Sequence, residues 1–352
     1  METIIHFLKA SHGDSFIIED RVQDNNPTII IIDGGLPDTY RRYINPIIRN
    51  FSRIDLVVLT HTDDDHIKGL TSFFQSELYS KIDVKEYWAN CRYSIKLNVG
   101  SQVSLAAAKD FDNFLLKKEK DEAINKWNKD IIFTGEPYFI NDMEFLILSP
   151  HKKQINLFYD KWRIKEGSHT VLASNMVENQ LQKGSIEYLG GVSFSPTKSI
   201  IDDFVNASSI AFLMKCKNLS ILFFGDARPE ILVMSLKQLG YNSTVNRMTV
   251  DYVKISHHGS KNNTSPELLS YIECNHFIIS TNGGIGQSKH PDRETIAWIL
   301  CREKREEETT YLYFNYKLFD IESKAGKFLT SDECEKYNCI VYENVERIPY
   351  EK

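Results

Sequence analysis

Four apolar runs in this chain each lead into a histidine or an aspartate. TIIII precedes Asp33, LVVLT precedes His61, SILFFG precedes Asp226 and DYVKIS precedes His257. Continuous runs of this kind, richest in isoleucine at TIIII, are the pattern of strands buried on both faces. A turn-forming Asp or a hydrogen-bonded buried His accounts for one such ending, but four together are hard to credit to chance. Loops at one edge of a rigid sheet can aim several ligands at a single point. One ending also opens a denser cluster, because His61, Asp63, Asp64, Asp65 and His66 fall within HTDDDH. Carboxylates this close repel unless a cation neutralises them. The acidic first turn of a helix would explain the aspartates, though not the two histidines. The pattern predicts a metal site.

Length and composition set the frame. A chain of 352 residues can build one large domain with insertions or two domains. Its 42% hydrophobic and 26% charged content is that of a soluble globular protein. A net charge of −6 gives no global pull toward nucleic acid or an anionic membrane, although a local basic groove remains compatible with it. The start, METIIHFLKASHGD, lacks the basic and apolar regions of a signal peptide, and no apolar run approaches the ~20 residues of a membrane span. The six cysteines (91, 216, 274, 301, 334, 339) are scattered and read as reduced thiols. The expectation is a cytoplasmic protein with no membrane association.

The coarse order of elements alternates strands and helices. TIIHFLK, DSFIIED, PTIIIIDGG and IDLVVLT read as strands, with LPDTYRRYINPIIRN as a helix broken near Pro46. HIKGLTSFFQSEL reads as a helix whose first turn carries the acidic residues. Positions 100–128 read as a charged surface helix, and Ser149 to Ser199 as a loop-rich insertion. SSIAFLMKC and LSILFFGDA form a predicted hairpin. RPEILVMSLKQLG, SPELLSYIE and HPDRETIAWILC follow as helices, separated by the strands DYVKIS and HFIIS. Pro266 and Pro291 fall at expected first helical positions, with Ser265 and His290 before them as caps. TYLYFNY and NCIVYENV read as edge strands. We expect a single domain over 1–352, with an insertion at about 90–200 and a strand-rich tail from about 305.

At this level the motifs resemble a family. H-x-D-x-D-H at 61–66 is similar to the H-x-H-x-D-H ligand motif of metallo-β-lactamase fold hydrolases. More narrowly, HGDSFII, HTDDDH, FFGDA, HHGSKNNTSPELL and the later HP pair resemble the soluble hydrolase domain of ComEC-type competence proteins, over roughly 1–80 and 200–300. The resemblance implies an α/β fold, an αββα sandwich of two mixed β-sheets flanked by helices, with two divalent metal ions at one edge. His61 and Asp63 would hold one ion, Asp65, His66 and His257 the other, and Asp226 would bridge them. The family's third His on the way to Asp226 is missing. DDFVNASS stands in its place, with Asn206 and Ser208 as weak candidates and His169 as a more distant one. Oxygen-rich sites suit Mn²⁺ or Mg²⁺, and His/Cys-rich sites Zn²⁺, so manganese is favoured, zinc is the alternative and magnesium is compatible.

The same resemblance assigns roles. Asp65 would be both a ligand and the orienter of a metal-bound hydroxide, and His290 would donate a proton to the leaving group. His257 is chosen over His258 because adjacent side chains of an extended chain point opposite ways. Asp14, Ser15 and Asp33 would support the cluster, Asp64 would face solvent, and Lys261 is a candidate phosphate contact. His6, His151 and His276 read as structural. The expected function is a metal-dependent hydrolase, a phosphodiesterase or nuclease acting on nucleic acid or a nucleotide. The alternatives are hydrolysis of a lactone or thioester, or a non-catalytic metal-binding subunit with a protein partner. A homo-oligomer is compatible with either.

Overall fold

The computed structural model describes residues 3–21, 27–90, 113–114, 126–128, 130–162, 181–196, 203–217, 219–286, 288–304 and 308–349. Two mixed sheets dominate them. In the seven-stranded sheet, Thr3–Phe7, Phe16–Asp20 and Thr28–Ile32 pair antiparallel; from Thr28–Ile32 onward, Leu56–Val58, Glu86–Trp88 and Lys126–Asn128 add in parallel. Arg347–Ile348 closes the other edge against Thr3–Phe7. The eight-stranded sheet repeats the plan. Tyr138–Ile140, Met143–Ser149, Ala211–Cys216 and Leu219–Phe223 run antiparallel; Tyr252–Lys254, His276–Ile279, Thr310–Phe314 and Cys339–Tyr342 then add in parallel.

The side-chain period of two explains the layering. In TIIII, Ile30 and Ile32 point into the core between the sheets, where Phe7, Phe16 and Val58 meet Phe145, Phe212 and Phe223. Phe16 and Phe223 touch edge to face across it, with ring centroids 5.3 Å apart. Ile29 and Ile31 point the other way, against Ile67, Leu70 and Phe73 of the Asp64–Phe74 helix. Behind the second sheet, Val253 and Phe277 pack on Leu232 and Leu236 of the Pro229–Gln238 helix, and on Ile296 and Leu300 of the Arg293–Cys301 helix. A run that must be apolar on both faces is what this arrangement demands. The result is the expected αββα sandwich. Among the described residues no helix is long and apolar enough to cross a membrane.

Several local expectations are corrected. The helix from Pro37 does not break at Pro46, since Pro37–Thr39, Tyr40–Ile44 and Asn45–Ile48 follow without interruption. Its middle segment is a wide π-turn, which accommodates a proline that would clash in a regular helix. Lys126–Asn128 is a strand rather than the end of a helix; most of 100–125 and His169 lie outside the described residues. The supposed loop after Ser149 contains the helices Lys152–Trp162 and Ile186–Gly190. Ile155, Phe158 and Tyr159 bury one face of the first, an i, i+3, i+4 spacing the sequence carries. Asp292, not His290, is the N-cap residue of the Arg293–Cys301 helix, so Pro291 stands outside it. Thr310–Phe314 is an inner strand; only Cys339–Tyr342 lies at the edge, and the helices Leu318–Ala325 and Ser331–Lys336 separate them.

Candidate metal centre

Asp33, His61, Asp226 and His257 each follow the end of a strand, two in each sheet, and these ends meet at one edge of the sandwich. Backbone hydrogen bonds tie the loops together there, from Ile210 N to Thr60 O at 2.8 Å and from His257 N to Gly225 O at 3.0 Å. Close approach of backbones is needed to bring them in. A Cβ on Gly69, in the Asp64–Phe74 helix, would lie 1.8 Å from Gly34 O, and one on Gly13 would lie 1.8 Å from Asp65 O. Asp63 occupies the N-cap position of that helix but makes no capping hydrogen bond. Its carboxylate lies 3.6 Å from His61 Nε2 instead.

Asp226 is the hub. Its carboxylate oxygens lie 3.5 Å from His61 Nε2, 3.7 Å from His66 Nε2, 3.8 Å from His257 Nε2 and 3.9 Å from His258 Nε2. These separations exceed hydrogen-bond length. They approach the ~3.4 Å edge of a tetrahedron of ligands about 2.1 Å from a metal. His61 Nε2, His66 Nε2, His258 Nε2 and Asp226 Oδ1 are buried with no hydrogen-bond partner among the described residues. An unpaired buried polar atom is costly, and cations held among these atoms would satisfy them.

The opposite ring nitrogens are anchored. His66 Nδ1 lies 2.8 Å from Asp33 Oδ2, His258 Nδ1 2.9 Å from Ser280 O, and His257 Nδ1 2.9 Å from Asn263 Oδ1. His61 Nδ1 lies 3.1 Å from Thr60 Oγ1. Acceptors at Nδ1 hold the proton there and leave Nε2 as the free donor of an electron pair, the usual support of a metal-ligating imidazole. Three groups of ligand atoms fall close enough to share an ion: His61, His66 and Asp226; Asp65, His66 and His258; and Asp14, Asp33 and His66. The residues present fit a cation.

The structure brings all six expected ligands, His61, Asp63, Asp65, His66, Asp226 and His257, into this cluster, and it adds His258. Facing of only one of the adjacent histidines presumed an extended chain. Both instead adopt left-handed backbone angles, φ 45° at His257 and 57° at His258, so both rings reach Asp226. His258 Nε2 also lies 3.6 Å from Asp65 Oδ2. Lys254 was missed too. This fully buried lysine forms an ion pair with Asp14, which lies 3.4 Å from His258 Nδ1. A lone Lys inside the apolar run DYVKIS was the available signal. Asn263, beside His257, also donates through Nδ2 to Asp226 O at 2.9 Å.

Other candidates take different places. Asn206 Nδ2 lies 3.5 Å from His257 Nδ1 and donates to Asp203 Oδ2 at 2.9 Å, while its Oδ1 is buried without a partner among the described residues. Ser208 donates to Val205 O and turns away. Lys261 pairs with Glu294 at 2.6 Å, which engages the charge expected to meet phosphate. His290 lines the cleft over the cluster, with its Nδ1 3.3 Å from Asp292 Oδ2. Asp64 is half-buried and pairs with Lys68 at 2.7 Å. His6, His151 and His276 contact Glu19, Ser235 and Tyr313, away from the site.

The electrostatics follow from burial and mutual charge. Burial alone would raise the Asp226 carboxyl, but His257, His66 and His61 around it hold it well below the usual carboxylate range. Asp65 is likewise lowered against its burial, by His258 and His66. Burial disfavours the charged form of His258, yet Asp226 and Asp14 overcome it and lift the ring to about 9. Burial prevails at His257, which falls to about 4. A neutral imidazole is the form that ligates metal.

No family model matches the chain, and no curated protein matches it. Among solved structures, the metallo-β-lactamase fold protein YhfI from Bacillus subtilis overlaps 99% of this chain and 99% of its own, at 8% identity and a TM-score of 0.40. A diphosphatase from the PhnP family overlaps 95% of this chain and 82% of its own, at 10% identity and a TM-score of 0.38. CmlA, a diiron β-hydroxylase from Streptomyces venezuelae, overlaps 99% of this chain at 10% identity and a TM-score of 0.41; the chain spans 53% of its length. Likeness at these values transfers neither activity nor substrate.

Proposed function

We propose that this chain is a metal-dependent hydrolase of the metallo-β-lactamase fold, related to the soluble domain of ComEC-type competence proteins, and that it cleaves a phosphodiester. The observation that carries the reading is the convergence of four imidazole Nε2 atoms on the Asp226 carboxylate, with every Nδ1 held from outside. Two divalent ions would be held by His61, Asp63, Asp65, His66, Asp226, His257 and His258. Such ions, when bound, acidify a water molecule and stabilise charge that develops on a phosphoryl oxygen. With three carboxylates beside four imidazoles, manganese is the favoured ion and zinc, which imidazole also suits, the alternative.

The protein's own groups supply the rest. Asp65, kept ionised by its histidine neighbours, would orient the attacking water. His290 is at the cleft rim, its ring 5.3 Å from that of His257. With Nδ1 turned to Asp292, its other nitrogen would protonate the departing oxygen. The substrate is a nucleotide or nucleic acid, met in the cytoplasm. Hydrolysis of bis(p-nitrophenyl) phosphate with Mn²⁺, Mg²⁺ or Zn²⁺ tests this. Turnover greatest in Mn²⁺ and abolished by Asp65→Asn is expected. Turnover of lactones or thioesters without any phosphodiester cleavage would overturn it.

A further inference from the structure

The cleft above the metal centre encloses about 220 Å³ and is lined almost wholly by ionisable or polar groups, among them His12, Asp63, Asp65 and His290. Ile285 is the one large apolar side chain among the described residues that line it, and it is 64% exposed.

The turn that carries Ile285 is tightly built. Ile285 N donates to Ser288 O and Ser288 N to Ile285 O, both at 3.0 Å. Gly283 and Gly284 have φ of 93° and 84°, which side-chain-bearing residues rarely adopt. A Cβ on Gly283 would lie 2.4 Å from Ile321 O, and one on Gly284 2.0 Å from Ser288 O. Asn282 Nδ2 reaches Ser11 Oγ at 3.0 Å, and Thr281 Oγ1 donates to His290 O at 3.0 Å. The backbone is therefore fixed on the two loops that flank the cleft, and it holds an isoleucine in water at the mouth.

We infer that Ile285 is a specificity-determining contact for a planar apolar arm, a nucleobase or aryl group, attached to the phosphate. The inference rests on the phosphodiester reading of the metal centre. Charged groups fill the floor of the cleft, so a phosphate belongs there, and its substituent must leave past the rim. An apolar arm that passes Ile285 removes both surfaces from water, whereas a small alkyl arm does not reach it. Covering about 40 Å² of apolar surface corresponds to roughly a fivefold gain in affinity.

The test is calorimetric binding of phenyl phosphate and methyl phosphate to the Mn²⁺-loaded protein. The wild type should prefer phenyl phosphate by about fivefold. Ile285→Ala should bring the ratio close to one, and Ile285→Leu should keep it. An unchanged preference in Ile285→Ala, or none in the wild type while methyl phosphate binds, would overturn the inference and leave the phosphate reading standing. Binding of neither compound would overturn this inference, and turnover of bis(p-nitrophenyl) phosphate then decides whether the phosphodiester reading falls with it.

Discussion

Asp33 Oδ2 lies 2.8 Å from His66 Nδ1, and both side chains are sealed from solvent. The same carboxylate accepts hydrogen bonds from Thr60 N at 2.8 Å and Thr60 Oγ1 at 2.7 Å. Asp33 thus fixes one imidazole of the cluster and the loop that carries another. Asp33→Asn should lower metal affinity by about 10- to 100-fold, the usual cost of losing such a partner. Competition against a chromophoric chelator measures it; wild-type affinity in the variant would show that Asp33 does not support the ligand.

The histidines set a pH dependence for the metal-free protein. His258 is raised from 6.5 to about 9 in the folded state. Its stabilising contribution is complete below about pH 6.5 and is lost as pH rises through about 9. Chelator-treated protein should therefore melt at progressively lower temperature from pH 6.5 to 9. Metal entry displaces that proton, so affinity should rise over the same window. A melting temperature that climbs from pH 6.5 to 9 without metal would contradict the assignment.

Gly69 gives a purely steric prediction. A methyl carbon added there would come within 1.8 Å of Gly34 O, with backbone on both sides, so neither can yield cheaply. Gly69→Ala should destabilise the fold by about 1–3 kcal/mol, the range for overpacking. Denaturant unfolding would show it as a lower midpoint, and an unchanged midpoint would mean that the helix does not lie this close to the strand-end loop.

Arg293 is buried and fully engaged. Its guanidinium donates to Phe328 O at 2.7 Å and Gly184 O at 2.8 Å, and pairs with Glu333 at 2.5 Å. Arg293→Ala leaves the Glu333 carboxylate and two carbonyls without this partner, and should cost about 3–5 kcal/mol. Arg293→Lys should recover little of it, because an ammonium cannot span this fork. Thermal unfolding of the two variants separates these outcomes.

The parts legible in the sequence are those fixed by short-range pattern. TIIII and LVVLT read as buried strands, and HTDDDH, with two imidazoles among three carboxylates, reads as a candidate metal-ligand motif. What escaped depends on distant packing. The left-handed turn at His257 and His258 is held by Gly225 and Asn263, so the alternation expected of an extended chain fails. The Lys254–Asp14 pair joins residues from opposite ends of the sequence. His290 read as a cap because a proline follows it, but the helix begins only at Arg293, after Asp292. Lys126–Asn128 read as helix within a charged stretch, and parallel pairing with Glu86–Trp88 overrides that local preference.

Asp226 is the proposed shared ligand of a two-ion centre. Titration of chelator-treated protein with Mn²⁺, followed by calorimetry beside Asp226→Asn, tests it most directly. Two ions bound per chain by the wild type, with both weakened together in the variant, is the result predicted. A single ion, or two ions bound unchanged in Asp226→Asn, would contradict it.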